Sequence, residues 1–165
     1  MMASIDEYRD TAKHAVPAAR LVATSAYAPA LERFGPLAAV PIDLWELILT
    51  VAGVFLVLWQ IRDLPLVHAD KISLFKTVEA ELAGFHPQAL ALLDNCKSVV
   101  NDAYERLGPA ALEYDCEPNL RSADALGFWI FLNLFGRGAK GADEQALARL
   151  AGGWIGKGLG DVWQQ

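Results

Sequence analysis

Residues 41–65, PIDLWELILTVAGVFLVLWQIRDLP, constrain this chain more than any other stretch, because nearly every side chain in the middle is apolar and proline stands at both ends. No charge interrupts Leu47 to Trp59, a run of roughly 13 residues, the length that more often marks a buried core helix than a span. Extended to 44–61 the run reaches about 18 residues, the threshold for a bilayer span. The charge inside the longer run is Glu46. With Asp43 it forms a D-x-x-E capping pattern that places its carboxylate at the helix start, with Ile42 and Leu47 as the flanking hydrophobic staple. Arg62 complements the negative C-terminal end, and Pro65 prevents continuation.

Energetics lean modestly toward lipid. The Leu, Ile, Val and Phe side chains together favour insertion by roughly 4.5 kcal/mol, against about 2.5–3.5 kcal/mol for a carboxylate at mid-bilayer and less near its edge. Trp45 and Trp59 would lie about 21 Å apart along a helix, as membrane-interface aromatics of a short span. Within the helix Asp43, Glu46, Thr50, Gly53, Val57 and Gln60 recur at intervals of three and four, so polar and small residues share one stripe. In a membrane that stripe is where another helix packs; in a soluble bundle it is the edge that meets water. The expected fold class is therefore all-α, with one short hydrophobic, membrane-spanning helix plus a small helical bundle. The alternative is a soluble bundle with the same helix as its core.

The rest of the chain also reads as helical. Residues 1–40 form an Ala-rich helical N-terminal arm, opened by a Ser4/Glu7 capping box and interrupted by Pro17 and Pro29. Residues 41–65 are the capped hydrophobic helix. Residues 66–151 form a helical bundle domain with helices over 71–83, 87–107, 122–135 and 143–151. In the second of these Ala89, Leu93, Cys96, Val100, Ala103 and Leu107 share one face. Residues 152–165 are a Gly/Trp-rich tail with too much glycine for regular structure, presenting Trp154 and Trp163 to a partner or folding back on the bundle.

The totals exclude several roles. Hydrophobic residues make up 54% of the chain against 21% charged, a share that must be buried in a core, a partner or lipid. A net charge of -6 without a basic cluster argues against nucleic acid. The N-terminus carries Asp6, Glu7 and Asp10 and lacks the apolar core of a secretory signal. Cys96 and Cys116 form no disulfide framework or CxxC, although they are able to pair with each other.

Chemistry-bearing motifs are missing. His14, His68 and His86 are scattered, and none follows a glutamate by three residues as in a di-iron bundle. GGWIGKG fails as a phosphate loop, with Ala151 where the first glycine belongs and Gly158 where Ser or Thr belongs. Cys96 lies on an apolar helix face and Cys116 between two acids, so neither is a good nucleophile. No catalytic residue, cofactor, metal or small-molecule substrate is expected.

The sequence thus points to a non-catalytic accessory or structural subunit of a larger membrane complex, with other protein subunits and the lipid bilayer as partners. Its interaction residues are Glu46, Thr50, Gly53, Val57, Gln60, Trp154 and Trp163. Arg33 alone lies within about 20 residues before the span, whereas Arg62, Lys71 and Lys76 follow it, so the C-terminal part is expected on the cytosolic or matrix side. The competing class is a soluble, acidic, cytoplasmic helical module that binds protein.

Overall fold

Alanine sets how the first helix packs. In the computed structural model, which describes residues 4–100 and 118–164, helix α1 (Asp6–Arg33) buries Ala12, Ala15, Ala19, Ala23, Ala26 and Ala30 along one stripe. Their spacing of three and four keeps them on one helical face, and the absence of bulk brings the backbone of α1 close to its neighbour. The expected interruptions at Pro17 and Pro29 do not occur, and α1 runs through both. Both prolines are exposed, so the carbonyls deprived of a helical donor lie on the same water-facing side, where solvent can satisfy them. Ile5 takes the cap position without a side-chain bond, and Ser4 Oγ accepts the backbone N–H of Asp6 at 3.3 Å, so Ser4 does not cap as expected.

A short 3-10 helix, Gly35–Ala39, leads to α2 (Ile42–Ile61). The capping box at Asp43 does not form either. Pro41, with φ -57° and an extended ψ of 137°, launches the helix two residues earlier, leaving Asp43 in the first turn and Ile42 49% exposed instead of stapled. At the far end Lys71 donates to the Arg62 carbonyl at 2.6 Å, so a lysine from the next helix supplies the cation at the C-terminus of α2.

Helix α3 (His68–Phe85) buries Leu74, Val78 and Leu82. Residues 89–100 are the described part of α4, where Ala89, Leu93, Cys96 and Val100 are buried as the periodicity requires. Ala103 and Leu107, assigned to the same face, lie outside the described residues. Helix α5 (Pro118–Phe135) ends at Gly136, whose φ of 72° is the left-handed conformation that stops helices, and Gly136 N–H caps Leu132 O at 2.8 Å.

Helix α6 (Gly141–Leu159) is the largest departure from expectation. It continues through Gly152, Gly153, Gly156 and Gly158, where sequence propensity predicts irregular structure. Packing overrides propensity here, because Leu147, Ala148, Ala151, Ile155 and Leu159 form one buried stripe.

The helices are arranged around α2. Helices α1, α3, α5 and α6 all pack against it, α1 also touches α3 and α6, and α6 touches α5. Helix α4 bridges the remaining gap: Lys97 Nζ meets Glu79 of α3 at 3.3 Å, and Trp129 Nε1 of α5 donates to Asn95 Oδ1 at 2.8 Å. The protein is all-α among the described residues, with one long apolar helix inside a helical bundle. Residues from all four segments drawn on sequence share a single hydrophobic core.

Candidate interaction surface

The small and polar stripe of α2 is packed by this chain's own helices. An added Cβ on Gly53 would lie 2.7 Å from Leu159 Cδ1 of α6 and 2.9 Å from Ala19 Cβ of α1, so both helices approach the α2 backbone at that glycine. Gln60 Nε2 donates to Leu159 O at 2.8 Å, and the Val57 carbonyl accepts the indole N–H of Trp163 at 3.0 Å. Thr50 is 0% exposed and its hydroxyl has no partner. Glu46 is half-buried at the α2 start. The stripe is thus a helix-packing seam, and the helices that fill it come from the same polypeptide.

Trp45 is not placed as a membrane-interface residue would be. It is 0% exposed, donates its indole N–H to Ala23 O of α1 at 2.8 Å, and meets the Tyr27 ring edge-on at 5.8 Å. Burying an indole requires a partner for its N–H, and the alanine stripe of α1 leaves a backbone carbonyl within reach. Trp59 stays half-exposed, against Phe55 and under the Arg62 guanidinium at 4.5 Å. Trp163, expected in a flexible tail, is 4% exposed and packs on Tyr8 with ring centroids 6.1 Å apart. The tail therefore folds back and closes the α1/α2 end of the bundle. Trp154 remains half-buried in a surface groove.

That groove belongs to a surface that the α2 stripe and the tail motif did not indicate. The outer side of α1 carries two depressions that share Leu21. One, of about 390 Å³, runs between α1 and α6 and is lined by Leu21, Val22, Ala26, Pro29, Trp154 and Lys157. The other, about 700 Å³, runs between α1 and α3 and includes Val16, Arg20, Leu21, Glu81 and Phe85. Leu21 rises between them, 67% exposed, more than any other large apolar side chain among the described residues. The sequence held a signal for this surface: LVATSAYAPAL, residues 21–31, carries no charge although half of a surface helix must face water.

Among the described residues the titratable groups do not converge. Burial pushes the Cys96 thiol well above its ordinary value, leaving it unreactive. Cys116 lies outside the described residues. His14 Nδ1 lies 2.7 Å from Asp10 O and His86 Nδ1 accepts Gln88 N–H at 3.1 Å, both local contacts. Among the described residues no group of three or more His, Cys, Asp or Glu side chains is placed to hold a metal ion. Among the described residues the Glu144 carboxyl is held down to about 2 by a hydrogen bond from Arg137 and another from the Lys140 backbone N–H. Both contacts fix the turn between α5 and α6.

No family model matches this chain, and no curated protein or solved structure matches it either.

Proposed function

We propose that this chain is a helical protein-interaction module whose apolar helix is its own core and whose working surface is the outer face of α1. One observation carries the proposal: every residue of α2 from Leu47 to Leu58 is buried by the chain's own helices, while the charged side chains of α1 and α6 point outward. An apolar cylinder already sealed by its own polypeptide needs neither acyl chains nor a foreign subunit to cover it.

Carbonate extraction of membranes from cells producing the chain tests this. Recovery in the supernatant, followed by a monodisperse species without detergent, is the expected result. Retention in the pellet overturns it.

A second reading is favoured by a different observation. Helix α2 has 20 residues and a mean hydropathy of 2.0, long and apolar enough to cross a membrane by length and composition. In that reading the chain is an anchored accessory subunit with its C-terminal part on the cytosolic or matrix side, and its helices open to let α2 enter lipid. Pellet retention would support it.

A further inference from the structure

We infer that the face of α1 between Pro17 and Pro29 docks an acidic amphipathic helix of a partner protein. The inference rests on the interaction-module proposal and names the chemistry of its partner.

Shape is the first ground. Leu21, Thr24, Ser25, Ala28 and Pro29 are all exposed, yet no charge occurs from 21 to 31. A solvated helix face ordinarily carries charge. Here the outward ridge is Leu21, with a mainly apolar groove on its α6 side and, on its α3 side, a mixed groove that also holds Arg20, Thr24 and Glu81. From Leu21 to Pro29 the ridge extends about 12 Å, roughly two helical turns. A partner helix with apolar side chains at i, i+3, i+4 and i+7 would seat them on both flanks of Leu21, the helix-in-groove mode of recognition.

Charge is the second ground. Lys157 stands at the edge of the α1/α6 groove and Arg20 at the edge of the α1/α3 groove. Among the described residues neither is in an ion pair; the Arg20 guanidinium lies over the Phe85 ring at 5.6 Å. Glu81 lines the second groove as its acid. A chain of net charge -6 thus presents, beside an uncharged stretch of α1, Lys157 on one side of the ridge and Arg20, with Glu81 in the same groove, on the other. Screening over about 8 Å at physiological salt makes these local cations, and not the distant net charge, what a docked helix feels. Carboxylates flanking the partner's apolar strip would meet one cation on each side.

The probes are two fluorescein-labelled helical peptides with leucine at the a and d positions of each heptad, flanked by glutamate in one and by lysine in the other. They are titrated against the full chain by anisotropy. The glutamate peptide is expected to bind about tenfold more tightly or better, and Leu21→Asp to weaken it by about tenfold, as loss of a central apolar anchor does. The double variant Arg20→Glu with Lys157→Glu is expected to reverse the preference. All three side chains are exposed, so unchanged circular dichroism and melting temperature confirm that the variants fold. Equal affinity for the two peptides, indifference to Leu21→Asp, no binding of either at millimolar concentration, or a homodimer formed through this face would each overturn the inference. A chain that stays in the carbonate pellet sinks the interaction-module proposal itself. A chain that is released but shows no charge reversal sinks the docking face alone.

Discussion

At the scale of single residues, two positions on the inner stripe of α2 bear opposite relations to their surroundings. The Thr50 hydroxyl is buried without a partner, and such a group carries a desolvation cost of about 1–3 kcal/mol that an isosteric methyl does not. Thr50→Val is therefore expected to raise stability by about 1 kcal/mol in chemical denaturation. Gly53 is already closed in by Leu159 and Ala19. Gly53→Leu has no space to occupy, and should cost about 3 kcal/mol or more as α1 and α6 are forced off α2. Both residues were legible in the three-and-four spacing as members of one stripe, expected to pack another helix in a membrane or to meet water in a soluble bundle. Which helix fills the seam was not, because spacing reports the face a residue occupies and says nothing of what lies opposite.

At the scale of elements, α6 separates propensity from packing. Gly153 is exposed, and a Cβ there meets nothing within 4 Å, whereas a Cβ on Gly158 would lie 2.7 Å from Val22 Cγ2. Gly153→Ala should stabilise the protein by about 0.5–1 kcal/mol through lost unfolded-state freedom. Gly158→Ala should destabilise it, since the stiff β-branched Val22 must give way. Paired thermal melts check both, and two effects of the same sign would show that α6 does not sit on α1 at Gly158. The turn before α6 adds a pH dependence. Glu144 falls from an ordinary value of 4.5 to about 2 in the folded chain, so its contribution is fully present above about 4.5 and is lost as pH falls through about 2. Glu144→Gln should lower the melting temperature at pH 6 to 8, and the difference from wild type should be lost as pH falls through about 2. Proline and glycine explain why these elements were harder to bound than to detect. Pro17 and Pro29 act as helix breakers in isolation, but on the exposed face of a docked helix the carbonyls one turn earlier, which lose their N–H donor, keep water as a partner.

At the scale of the whole molecule, the C-terminal segment closes the bundle. Trp163 is buried between α1 and α2 and donates to Val57 O. Trp163→Ala is expected to cost about 3–5 kcal/mol and to open the end of α2 to the dye ANS at temperatures where the wild type excludes it. An unchanged melt would mean that the tail is an appendage and not part of the core. Because one hydrophobic core joins residues from α1 to the tail, unfolding followed by tryptophan fluorescence and by circular dichroism should coincide in a single transition.

By itself the sequence determined the helical class, the amphipathic face of α4 at Ala89, Leu93, Cys96 and Val100, the grouping of small and polar residues on one stripe of α2, and the apolar length that lets 42–61 pass as a span. These follow from local chemistry, since periodicity and apolar run length are properties of neighbours along the chain. Only the tertiary structure decided that Trp45 and Trp163 turn inward, that α1 and α6 enclose Gly53, and that Leu21 is left standing between two grooves. Those outcomes depend on which surfaces meet across 106 positions of sequence, as between Val57 and Trp163, or farther, as between Tyr8 and Trp163, and a hydrophobic side chain gains by leaving water whether lipid, a partner or its own chain covers it.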